Sequence, residues 1–202
     1  ARYGGIYTDV ATLCLRPLDE WIWSEVSEGH QRRGVGGFYL ACFGMVPGES
    51  REYVENWFLA ARRAHPLMIA WRDLHIAGWR DADSRFTFAW GPLFRHVDLS
   101  HISIVEHRTW LTMHICFKKL IDEDPEMRRI WEEEMVLLRA DDSAMNWMAD
   151  VDASSSEDAA RQWVFTKDDV WTDRLLAAAP MLKFVGDMAQ ALQWQPDEHL
   201  VS

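Results

Sequence analysis

The stretch Ala1-Arg-Tyr-Gly-Gly-Ile-Tyr-Thr-Asp-Val-Ala-Thr-Leu-Cys-Leu-Arg-Pro-Leu-Asp19 decides how the rest of the chain is read. Gly4-Gly5 is a turn signal that runs into Ile6-Tyr7, and Thr12 to Leu15 is a second short apolar run stopped by Pro17. Both runs read as short β-strands. Glycine lacks a Cβ, so Gly4 and Gly5 mark a place where the main chain can be approached closely. One carboxylate, Asp9, follows the first strand, and the string closes on Arg16-Pro17-Leu18-Asp19, with Trp21 and Trp23 directly behind it.

Outward from this segment, the first third continues with short strands, the next being Phe38 to Phe43, stopped at Gly44 and Pro47-Gly48. Between them, Glu28 to Gly37 carries Gly29, Gly34, Gly36 and Gly37 beside Arg32 and Arg33, and reads as a surface connection. From Ser50 the pattern turns helical, with Ser50 and Glu52 to Glu55 as the N-terminal signal and Trp57, Leu59 and Ala60-Ala61 as the apolar side. Pro66 starts a second helix that runs to about Gly78. Phe86 to Val105 is mixed, with Ile102 to Val105 as a candidate strand. Trp110, His114, Phe117 and Ile121 recur at the spacing of one buried helical face, so Arg108 to Ile121 is expected to be helical. Pro125 opens a further helix through Leu138. Asp150 to Asp158 reads as a polar loop, followed by helices from about Glu157 to Phe165, Asp169 to Ala178 and Met181 to Leu192, and by a frayed tail after Pro196. No internal repeat is present.

The 202 residues, 49% of them hydrophobic, suffice for one medium domain with a packed core. Lys and Arg total 21 against 32 Asp and Glu, and the net charge of −11 repels a polyphosphate backbone, which excludes nucleic acid as an expected partner. No apolar run reaches the ~20 residues of a membrane helix. Cys14, Cys42 and Cys116 form no CxxC pair and lie in apolar stretches, as buried free thiols do.

The opening string resembles the DxD sugar-binding motif of the capsular polysaccharide synthesis and yeast mannosyltransferase-like families: aromatic-Gly-Gly-apolar-Tyr, an Asp, and seven residues later basic-Pro-Leu-Asp. A second resemblance is Glu55-Asn-Trp-Phe-Leu-Ala-Ala61 followed by His65-Pro66, similar to the helix start that faces the acceptor in that family; a weaker one covers Trp110 to Pro125. The resemblance implies an α/β fold of the GT-A kind, a Rossmann-like transferase with short strands first and mostly helices after. Residues 1–202 would then form a single glycosyltransferase-like domain, the C-terminal part of a longer one. The preceding nucleotide-binding half would amount to about two βαβ units of ~30 residues each.

The activity implied is transfer of a sugar, with retention of configuration, from a nucleotide-sugar donor to a glycan or polysaccharide acceptor. On that resemblance Tyr3, Gly4, Gly5 and Asp9 bind the donor, the glycines shaping the diphosphate site, while Asn56 and Trp57 face the acceptor. The family's second acid would coordinate a divalent cation, Mn or Mg, that neutralises the diphosphate. Here that position is Ala11, which leaves Asp9 as the single candidate ligand. The rival expectation is a catalytically inactive homologue that serves as a scaffold and is covered by protein partners.

Other chemistry finds less support. His96, Asp98 and His101 are close in sequence but lack a recognisable fourth zinc ligand, and His114 reads as a satisfied core histidine. The run Asp150, Asp152, Ser154, Ser156 lacks the glycine and glutamate of a calcium loop. No GxSxG or P-loop string occurs. Of the twelve tryptophans, Trp57, Trp71, Trp110 and Trp131 sit at helical apolar positions and read as core, whereas Trp21 and Trp23 stand out by following the motif.

Overall fold

The computed structural model describes residues 2–27, 34–39, 51–100, 102, 105–145 and 179–183. Among these, the strands are β1 (Gly5–Thr8), β2 (Thr12–Cys14), β3 (Val35–Tyr39), β4 (Val54–Ala61), β5 (Met135–Arg139) and β6 (Met181–Lys183). The α-helices are α1 (Trp23–Ser27), α2 (Pro66–Asp81), α3 (Thr112–Glu123) and α4 (Pro125–Arg129), which makes the fold mixed α/β. The chain divides into two compact units, Ala1–Thr8 with Pro17–Asp141 and Asp9–Arg16 with Asp142–Ser202.

The first unit is built on a four-stranded sheet in the order β1-β4-β3-β5. β4 pairs antiparallel with β1, Gly5 opposite Ala61 and Thr8 opposite Phe58, and antiparallel with β3. β5 closes the other edge parallel to β3, Val35 opposite Met135, and the crossover between them carries α2, α3 and α4, as a parallel connection requires.

β4 corrects the sequence reading, which made Glu55 to Ala61 the start of a helix. A short continuous apolar run fits a strand buried on both faces as well as a helix. Here Val54, Trp57 and Phe58 have the β-branched and aromatic character that suits a pleated surface. All of β4 is buried except Asn56. A second correction follows Pro125. Asp124 caps α4 by accepting hydrogen bonds from the N–H groups of Glu126 (2.9 Å) and Met127 (3.2 Å), but the helix lasts five residues. One π-helical turn, Ile130–Glu134, then releases Met135-Val-Leu-Leu-Arg139 into β5 instead of continuing to Leu138. Of the candidate strand at Ile102 to Val105, Ile102 lies in no element and Val105 opens a 3-10 helix, Val105–Thr109, while residues 103 and 104 lie outside the described residues.

α2 starts where Pro66 fixes φ and needs no N–H partner, and it presents Leu67, Trp71 and Gly78 to the core. Trp71 donates its indole N–H to Met113 O (2.7 Å) and meets Phe117 of α3 edge-on, with ring centroids 4.9 Å apart. A Cβ on Gly78 would lie 2.6 Å from atoms of Phe88 and of Phe94, so the close packing of those rings on α2 depends on glycine there. Trp110, expected in the core, is 64% exposed, with the Arg85 guanidinium 4.1 Å from its ring centroid. His114 is buried as expected, but among the described residues neither ring nitrogen has a hydrogen-bond partner, and Glu55, itself buried, lies 3.6 Å from Nε2.

In the second unit β2 pairs antiparallel with β6, Thr12 opposite Lys183 and Cys14 opposite Met181. The N–H groups of Leu15 and Arg16 both donate to Pro180 O. Met181–Lys183 is thus a strand where a helix from Met181 was expected. Cys14 is exposed and Cys116 buried, burial raising the Cys116 thiol pKa to about 12. Among the described residues no helix is long and apolar enough to cross a membrane. Cys42, His101, the strand residues 40–43, the glycine-rich residues 28–33, the polar loop at 150–158, the helices expected at 157–165 and 169–178, the rest of the one at 184–192, and the tail all lie outside the described residues.

Candidate functional site

Both motif glycines have left-handed backbone, φ +74° at Gly4 and +109° at Gly5, which L side chains rarely adopt. They differ in what lies against them. A Cβ on Gly4 would be 2.5 Å from Arg63 N and 2.8 Å from the Arg62 carbonyl carbon, so Gly4 is required by packing against the loop between β4 and α2. Among the described residues, a Cβ on Gly5 would meet nothing within 4 Å. Of the pair, Gly5 is the one that opens onto free space.

That space is a shallow, open groove of about 440 Å³ bordered by Gly5, Ile6, Leu18, Asp19 and Trp23. The local sequence explains its walls. Pro17 leads into a 3-10 turn over Leu18–Glu20 that leaves Asp19 exposed. Ile22 just before α1 and Val26 within it, one turn apart, are fully buried against Gly36, where a Cβ would come within 3.0 and 3.2 Å of their methyl groups. Trp23 is set beside that buried pair and lines the groove. Trp21 goes inward and stacks on Phe58, with centroids 5.4 Å apart.

Tyr3 is 78% exposed beside Arg2. Asp9 lies in the second unit. Its carboxylate is 3.1 Å from Lys183 Nζ, and Thr12 Oγ1 donates to its carbonyl oxygen (2.7 Å). Asn56 is exposed on β4, whereas its neighbour Trp57 is buried and stacks on Phe38 at 4.8 Å, as adjacent strand residues turn to opposite sides. The structure therefore groups Gly5 with Asp19 and Trp23, and Asp9 with Lys183.

Two curated proteins match part of this chain. Over 97 residues, 48% of the chain and 22% of the relative, it is 28% identical to the O-glycosyltransferase braB of Annulohypoxylon truncatum. Over 95 residues, 47% of the chain and 23% of the relative, it is 27% identical to the glycosyltransferase afumC of Aspergillus fumigatus. The matched segments thus span less than a quarter of either relative. No family model matches, and no solved structure does. These partial similarities support a glycosyltransferase relationship.

Among the described residues, the groups beside Asp9 do not by themselves complete a donor set for a divalent cation. Mg²⁺ is commonly held by one or two carboxylates together with substrate phosphates. Here the Asp9 carboxylate faces an ammonium group, and Ala11 offers no side-chain oxygen. Among the described residues no three His, Cys, Asp or Glu side chains gather into a metal site.

Sequence reasoning missed Asp19 as a groove residue although it closes the quoted motif, and missed Lys183, for which no local signal exists. It also missed a second concavity of about 360 Å³ in the first unit, whose lining includes Trp90, Arg95, Asp98 and Arg108. There Arg108 is fixed by donating to Leu99 O (3.0 Å) and Ile102 O (3.1 Å).

Proposed function

We propose that this chain is part of a GT-A-type glycosyltransferase of the DxD-motif, capsular polysaccharide synthesis kind, which moves a sugar from a nucleotide donor to a glycan or polysaccharide acceptor. In that reaction the bond from the anomeric carbon to the diphosphate oxygen breaks, and a bond to an acceptor oxygen forms with retention of configuration. The acceptor's hydroxyl proton is lost and the nucleoside diphosphate leaves. The observation that carries the reading is Gly5, a left-handed glycine with open space beside it inside the motif string, in a chain partly similar to two glycosyltransferases. Tyr3, Gly4, Gly5 and Asp9 are proposed for the donor, with Gly4 acting through the loop it packs on, and Asn56 and Trp57 for the acceptor side, Trp57 from beneath the surface.

A second reading is favoured by Ala11 and by the Asp9–Lys183 pair: a catalytically inactive homologue kept as a scaffold subunit. Calorimetry with a panel of sugar nucleotides separates the two, because a ligand that binds only the folded state also raises the apparent melting temperature. The transferase reading expects one sugar nucleotide to bind, and Asp9→Ala to weaken it. A chain that binds none of the panel and associates stably with other proteins supports the scaffold.

A further inference from the structure

The groove beside Gly5 has a chemistry narrower than that of a general nucleotide-sugar site. Its polar wall is Asp19, with the exposed Glu20 next to it in the chain. Ionised carboxylates accept hydrogen bonds and donate none, so they repel phosphate oxygens and attract hydroxyl groups. Its other lining residues are Trp23, Ile6 and Leu18, whose side chains are apolar or aromatic. The main chain at Gly5 is left uncovered. A pyranose ring combines the two surfaces these walls require, a rim of hydroxyl donors and a face of C–H groups. A nucleotide carries its phosphates wherever its base docks, next to an acidic wall.

We propose that this groove is a subsite for the neutral sugar ring of the ligand, with Asp19 accepting hydrogen bonds from ring hydroxyls and Trp23 covering one face of the ring. The assignment deepens the glycosyltransferase reading and, for the identity of its ligand, rests on it. It places the phosphates of a donor away from Asp19 and makes Asp19 a selector of hydroxyl pattern.

The test uses the full chain and calorimetry or ligand-observed NMR with UDP-glucose, UDP-galactose and GDP-mannose, with free UDP and GDP, and with the corresponding methyl glycosides. Asp19→Asn keeps the shape and removes the charge. Trp23→Phe keeps an aromatic face, and Trp23→Ala removes it. The expected result is that Asp19→Asn weakens the bound sugar nucleotide roughly tenfold to a hundredfold, as loss of a charged hydrogen bond does. Trp23→Ala is expected to weaken it several-fold with Trp23→Phe partly restoring it, while the free nucleotide is unaffected. If Asp19→Asn leaves the sugar nucleotide unchanged, or weakens free nucleotide equally, the subsite is refuted and the glycosyltransferase reading survives. If methyl glycosides bind with this dependence but no sugar nucleotide does, the subsite stands and the donor reading falls. A wild-type chain that binds none of these probes refutes both.

Discussion

Lys183 Nζ lies 3.1 Å from Asp9 Oδ2, joining residues 174 positions apart. The lysine side chain is only 12% exposed and the aspartate 38%, so the ammonium is partly desolvated where it meets this carboxylate. The register of β2 on β6, Thr12 opposite Lys183, brings Lys183 next to the turn that carries Asp9.

Asp9 therefore already has a cation, and a second positive charge is opposed by Lys183. Sugar-nucleotide binding is expected to be unchanged by EDTA, and manganese alone is expected to leave the melting temperature where it is. In a double-mutant cycle with Asp9→Ala and Lys183→Met, the coupling energy should fall in the range of about 0.5–3 kcal/mol found for groups in contact. A melting temperature that rises with manganese and drops back in Asp9→Ala contradicts this account.

Gly4 and Gly5 are expected to respond differently to alanine. At Gly5 the cost is the left-handed backbone alone, roughly 1–2 kcal/mol. At Gly4 the same cost is joined by a Cβ pressed onto the main chain of Arg62 and Arg63, which cannot move aside as a side-chain end can. Overpacking of that kind adds about 1–3 kcal/mol. Urea unfolding should rank Gly4→Ala below Gly5→Ala in stability, and an equal loss for both contradicts the difference in their surroundings.

These two glycines also mark how far the sequence was legible. Their backbone freedom could be read from Gly4-Gly5 before a strand, and β1 and β2 form where expected. What lies beside each glycine could not, because Arg62 and Arg63 arrive through the pairing of β1 with β4. The same limit explains the misreading of β4. A short apolar run does not state whether it is covered on two faces, and only its neighbours β1 and β3 make it a strand. α2 and α3 were legible because Pro66 and the spacing of Leu67, Trp71, His114, Phe117 and Ile121 are local signals. Asp19 was in view but lacked a partner to give it meaning until Trp23 and Gly5 were placed around the same groove.

Stability should fall on the acid side of neutrality through His65 and His75. Burial lowers the pKa of both; at His65 Glu134 opposes this and Arg62 adds to it. At His75 the ring Nε2 takes the indole N–H of Trp79 at 2.9 Å, a role it loses on protonation. With folded pKa values below the unfolded value of about 6.5, the unfolded chain binds more protons as pH drops through that value. The contribution to stability is intact above about pH 6.5 and is lost progressively below it, until the folded-state rings protonate as well. Melting temperatures from pH 8 to 5 should show this decline, and a His65→Gln/His75→Gln double variant should flatten it. An equally steep decline in the variant assigns the acid sensitivity elsewhere.

Gly78 offers a test of packing against propensity. In an exposed helix interior Gly→Ala stabilises by about 1 kcal/mol, and Gly78 sits inside the 16-residue α2 with ordinary helical backbone. Yet its missing Cβ is where the rings of Phe88 and Phe94 come to rest, themselves stacked with centroids 4.7 Å apart and almost fully buried. Both rings would have to shift, and fully buried rings have little room to do so at interior packing density. The overpacking cost of about 1–3 kcal/mol then equals or exceeds the helical gain. Gly78→Ala should therefore fail to stabilise and should lower the urea midpoint. Paired with Phe94→Leu, which makes room, the alanine should recover part of its helical advantage; a stabilised single variant would mean that the aromatic cluster does not rest on Gly78.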